Sequence, residues 1–119
     1  MGALRPFEIE VVRRLGVGAL SADQMASIQA LQHHSAYEYT GSGYYLTVAH
    51  DSLPAEPRTL SRPHVAGKVG EIQCGFVLFL GKGELVLECH TWGPVDVPEH
   101  FRDMSVELFS PSVAIHDAT

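Results

Sequence analysis

Residues 71–92 read Glu71-Ile72-Gln73-Cys74-Gly75-Phe76-Val77-Leu78-Phe79-Leu80-Gly81-Lys82-Gly83-Glu84-Leu85-Val86-Leu87-Glu88-Cys89-His90-Thr91-Trp92, two apolar runs around a Gly-Lys-Gly break. Pairing Gly81 with Glu84 across a two-residue Lys82-Gly83 turn predicts a β-hairpin. In that register Ile72, Cys74, Phe76, Leu78 and Leu80 share a face with Leu85, Leu87, Cys89 and Thr91. The opposite face carries Gln73, Gly75, Val77 and Phe79 with Val86, Glu88, His90 and Trp92. A slip of one residue mixes the two sets, so the parity of the pattern selects this register. The second face is half apolar, which predicts partial cover.

The texture upstream is also β. Tyr37–Thr40 and Tyr44–His50 flank Gly41-Ser42-Gly43, which predicts a tight hairpin or a strongly bulged strand. Asp51–Pro57 reads as a loop with two prolines, followed by a weak strand over Arg58–Ser61. Downstream, Gly93-Pro94 stops the hairpin and residues 98–103 fit one helical turn. Ser105–Phe109 reads as a last strand, and Val113–His116 as a short addition.

The N-terminal third is helical in pattern. Pro6–Leu15 carries Phe7, Val11 and Leu15 at spacing four, Glu10 to Arg14 as an i,i+4 pair, and Gly16 as a stop, although Phe7–Val11 also alternates as an edge strand does. Ser21 with Gln24 three residues on forms a capping box, opening a helix that runs to about Gln32. His33 and His34 then close it, where imidazolium favours the C-terminal end of the dipole. Helices followed by strands in series predict one α+β domain over 1–119, with one or two N-terminal helices on a mainly antiparallel sheet of five or six strands.

The 119 residues are 45% hydrophobic and 18% charged, enough for a packed core without metal or disulfides. Fourteen acidic residues against eight basic ones leave −6, which opposes nucleic acid as a partner. The seven histidines would carry the formal charge from −6 to +1 on full protonation. There is no Asn and six Arg stand against two Lys, a bias expected of a GC-rich bacterial genome. The opening residues lack the apolar stretch of a secretion signal, and Phe76–Leu80 is far too short to span a bilayer, so a cytoplasmic location with no membrane contact is expected.

No metal and no cofactor are expected. The scattered His33, His34, His50, His64, Cys74, Cys89, His90, His100 and His116 contain no CxxC, HxH or HExxH spacing, and Cys89 and His90 point to opposite faces of one strand. Cys74 and Cys89 are diagonal on the core face, which opposes a disulfide. Gly41-Ser42-Gly43 is not a nucleophile elbow, and no phosphate-binding glycine motif occurs.

Two kinds of site remain. Glu88, His90 and Trp92 project from one strand, and Gly75 opposite His90 leaves a hollow over the imidazole that a ligand could enter. With His50 or His100 brought alongside, this is the catalytic or ligand-binding alternative. The leading expectation is a non-catalytic protein of immunity or adaptor type, whose acidic surface masks a basic partner. Its binding residues would be the aromatics Tyr37, Tyr39, Tyr44, Tyr45 and Trp92 and the acids Asp96, Glu99 and Asp103. A homodimer through an exposed sheet edge is a third expectation.

Overall fold

A computed structural model describes residues 2–111. Helices α1 (Pro6–Leu15) and α2 (Ala22–Ala30) precede strands β1 (Ala36–Tyr39), β2 (Gly43–Ala49), β3 (Arg58–Leu60), β4 (Ala66–Val69), β5 (Ile72–Gly81) and β6 (Glu84–Thr91). A 3-10 turn at Phe101–Asp103 and strand β7 (Glu107–Phe109) complete the order. This is the expected α+β architecture, with seven strands. Every strand pairing is antiparallel.

The central hairpin has the register that the apolar parity requires: Gly81 faces Glu84, Phe76 faces Cys89 and Gly75 faces His90. Lys82 (φ 56°) and Gly83 (φ 73°) both adopt left-handed backbone, as a two-residue hairpin turn following the strand twist demands. The sheet runs β1-β2-β6-β5-β4-β7, and β3 also pairs with β5. Thus β3 and β4 lie one after the other along one edge of β5, with Leu60 opposite Leu78 and Ala66 opposite Gly75. Residues 61–65 bulge between them around a cis Arg62–Pro63 bond, and the Phe76 N–H reaches the Val65 carbonyl at 3.2 Å.

Strand β4 is the element the sequence pattern hid. Ala66-Gly67-Lys68-Val69 has little strand propensity, yet Gly67 is needed because a Cβ there would press on the Val106 and Phe76 side chains. The last strand is shorter than expected, starting at Glu107, and the strand expected at Val113–His116 lies outside the described residues.

Both helices form by local signals. Ser21 and Gln24 cap each other reciprocally, at 2.8 and 3.1 Å. Glu10 pairs with Arg13 and Arg14 at 2.7 and 3.0 Å on the outer surface of α1. The hydrogen bond from Arg14, more than that from Arg13, holds the Glu10 carboxyl below its ordinary range against a smaller opposing effect of desolvation. Helix α2 ends at Ala30 with Leu31 already extended, so His33 and His34 lie beyond the helix instead of capping its last turn.

Val11, Val12 and Leu15 of α1 and Ile28 of α2 pack with Leu46, Val48, Phe76, Leu78, Leu80, Leu85, Leu87 and Cys89 in one buried cluster. Phe7 sits against Phe76 and Phe101, with ring centroids 6.2 and 6.0 Å away. Each fully buried side chain of this size contributes about 1.5–3 kcal/mol. Among the described residues, both helices therefore cover the same side of the sheet.

Candidate functional site: the open face of the sheet

The strand registers place Glu38 (β1), Tyr45 and Thr47 (β2), Val86, Glu88 and His90 (β6), Val77 and Phe79 (β5), Lys68 (β4) and Glu107 and Phe109 (β7) on the face turned away from the helices. Tyr45 and Trp92 are 38% and 43% exposed, unusual for rings of this size. At one end, Pro57, Phe79, Lys82, Glu84 and Val86 line an apolar groove of about 180 Å³.

The chemistry at the other end differs from the sequence-based expectation. The hollow over Gly75 is filled, because Trp92 folds back across it and a Cβ on Gly75 would overlap the indole. The Trp92 N–H donates to His90 Nε2 at 3.1 Å. His90 Nε2 must then be the unprotonated nitrogen, which leaves the proton on Nδ1. That Nδ1 is the single buried side-chain polar atom without a partner among the described residues. Glu88 does not orient His90. It accepts from the Tyr45 hydroxyl at 3.3 Å, and its charge holds that phenol above its ordinary pKa.

His50 and His100 are not brought alongside. His50 follows the opposite end of β2 from Gly43, the residue that faces His90, and is roughly 20 Å along the strand. Its Nδ1 accepts the Ser52 N–H at 2.9 Å. His100 is exposed and adjoins Phe101, which is buried in the cluster beneath α1. The four residues His90, Glu88, His50 and His100 therefore form no acid–base dyad or triad in this geometry.

The expected binding residues divide between the two sides. Trp92 and Tyr45 belong to the open face. Tyr44 does not belong to any surface: it is 1% exposed, because β2 alternation turns it into the core, and burial first, then the charge of Glu8, holds its phenol well above the ordinary range. Tyr37 and Tyr39 face the helical side, half-buried, with the Tyr39 hydroxyl donating to the Val97 carbonyl at 2.7 Å. Asp96 and Glu99 are exposed in the segment before the 3-10 turn, and Asp103 pairs with Arg5 at 3.0 Å.

One polar centre was not anticipated. Glu8 is fully buried, and its carboxylate accepts from Arg102 Nε and Nη2 at 2.7 and 2.8 Å, from the Tyr44 hydroxyl at 2.6 Å and from the Arg5 backbone N–H at 2.7 Å. Arg102 Nη2 also donates to the Ala3 carbonyl at 2.9 Å. The guanidinium lies 5.5 and 5.9 Å from the Tyr37 and Tyr44 ring centroids. Burial would lower the Arg102 pKa, but the Glu8 hydrogen bond and charge outweigh it and the net shift is upward. The available signal was phase: Glu8, Val11, Val12 and Leu15 stand at i, i+3, i+4 and i+7, so Glu8 lies within the buried stripe of α1.

Cys74 and Cys89 are free and buried, and the Cys89 thiol is pushed far up by its hydrogen bond with Cys74 and by burial, which holds it in the unreactive thiol form at neutral pH. Among the described residues, no three His, Cys, Asp or Glu side chains cluster as a metal site, and no helix is long and apolar enough to cross a membrane. No protein-family model, curated protein or solved structure matches the chain.

Proposed function

We propose that this chain is a partner-binding protein that presents the open face of its sheet to a basic protein, in the manner of an immunity or adaptor protein of a bacterial cytoplasm. One observation carries the reading: an aromatic and aliphatic sheet face lies on the side away from the helices and is bordered by acid. Along it stand Tyr45, Val77, Phe79, Val86 and Trp92. The strand residues sharing this face include Glu38, Glu84, Glu88 and Glu107, against Lys68 as their basic counterpart. Rings anchor an interface, whereas the surrounding carboxylates steer a cationic surface and fix its register. The overall −6 acts in the same direction at longer range.

The test is copurification from a native host with three baits. These are the wild-type chain, the open-face variant Tyr45→Ala/Glu88→Lys/Trp92→Ala, and the helix-side control Arg13→Glu. Wild type and control should retain the same stoichiometric partner rich in Lys and Arg, released by salt, and the open-face variant should lose it. An acidic partner, equal capture by all three baits, or no stoichiometric partner would overturn the reading.

A further inference from the structure

We propose that a second site, on the helical side of the molecule, binds a phosphate group, free or as a monoester. Between the N-terminal segment, the chain leaving α2 and the 3-10 turn lies a cavity of about 460 Å³ whose lining includes Gly2, Ala3, Arg5, His33, His34 and Arg102 and no acidic residue. In a chain where acids outnumber bases 14 to 8, two of the six arginines and two of the seven histidines meet there.

The two guanidiniums are held in a similar way. Arg102 uses Nε and Nη2 on Glu8 and its second Nη2 proton on the Ala3 carbonyl. Arg5 places Nε and Nη2 on Asp103 at 3.2 and 3.0 Å. In both, Nη1 donates to no described residue. Since His90 Nδ1 is the single buried polar side-chain atom lacking a partner among the described residues, Arg102 Nη1 is not buried without one and is open to solvent. Tyr37 stacks 5.5 Å from the Arg102 guanidinium, and the His34 ring lies 6.3 Å from Tyr37, so this wall of the cavity is packed in place.

Those restraints select the ligand chemistry. A carboxylate prefers a two-pronged fit to one arginine, but the Nε–Nη2 edge of Arg102 and both Nη2 protons are already engaged. What remains around the one space is Arg102 Nη1, the outer Nη1–Nη2 end of Arg5 and the ring N–H groups of His33 and His34, donors that approach from several sides. An oxyanion whose oxygens point in several directions, as in a phosphate group, satisfies such donors best. Glu8 and Asp103 neutralise the two guanidiniums from outside the lining, and Glu99 adds negative charge near Tyr37. His33 and His34 bring ring N–H groups to the same space that no described carboxylate engages, which makes them the discriminating residues.

The experiment is a series of ¹⁵N–¹H correlation spectra of the full chain, titrated with sodium phosphate, with glycerol 3-phosphate, and with sodium chloride at matched ionic strength. Phosphate or its ester should produce saturable shifts at the amides of Ala3, Arg5, His33 and His34 that chloride does not. The tighter of the two identifies free ion or ester as the source. The double variant His33→Gln/His34→Gln and the separate variant Arg5→Gln, both at exposed or half-exposed positions, should each weaken binding about fivefold or more with the remaining spectrum unchanged. Chloride reproducing the shifts, a response that does not saturate, or affinity unchanged in both variants would overturn the site. None of these readouts depends on the protein partner proposed above.

Discussion

The two faces of the β5–β6 hairpin share one backbone and differ in everything that follows from cover. On the helical side Cys74, Phe76, Leu78, Leu80, Leu85, Leu87 and Cys89 are all at most 4% exposed and pack against α1 and α2. On the other side Val77, Phe79, Val86 and Glu88 stay partly exposed, and among the described residues no helix covers them: Trp92 lies over Gly75 and bonds His90, Tyr45 reaches Glu88, and Pro57 borders Phe79 and Val86. A strand has period two, so each pair of neighbouring residues serves both environments. The difference locates stability on one face.

The strongest way to break the comparison is at the polar centre of the covered side. Glu8→Ala leaves Arg102 half-buried without its carboxylate and removes the acceptor of Tyr44, and should cost about 3–5 kcal/mol in chemical denaturation. A loss under about 1 kcal/mol would mean that water enters the centre and that the side is not sealed. Next comes a neighbouring pair that samples both faces directly. Leu87→Ala should cost about 3 kcal/mol through the cavity it opens, whereas Val86→Ala, one residue away and facing outward, should stay within about 1 kcal/mol. Equal losses would show that the open face is covered in solution. The smallest stability effect is expected at Gly75→Ala, where a Cβ displaces the indole. Trp92 is the chain's one tryptophan, so its fluorescence should shift toward the spectrum of exposed indole while the denaturation midpoint hardly moves. An unchanged emission maximum would place the ring elsewhere.

The hairpin that organises the sheet was legible because two independent cues agreed, the Lys82-Gly83 turn and the parity of the apolar residues. The helices were legible from their caps and spacing. Strand β4 was not, since its place is set by Gly67 fitting against Val106 and Phe76, a close approach with no local pattern. The same distinction governs the site. Gly75 opposite His90 followed from register, but the closure of Trp92 over Gly75 depends on how the chain turns after β6 ends. Glu8 could have been suspected from its phase with Val11, Val12 and Leu15. Arg102 is 94 residues away, and no short-range pattern names it. Tyr44 illustrates the cost of counting aromatics without parity: its neighbour Tyr45 is exposed, and it is not.

The tie between Glu8 and Arg102 also joins the two ends of the chain. A chain synthesised from its N-terminus presents α1 long before residue 102 exists, and burying α1 then would enclose an uncompensated carboxylate. The native burial of α1 therefore draws on the segment that carries Arg102. A truncation that removes that segment should leave α1 with a carboxylate it cannot enclose, so the two ends of the chain stand or fall together.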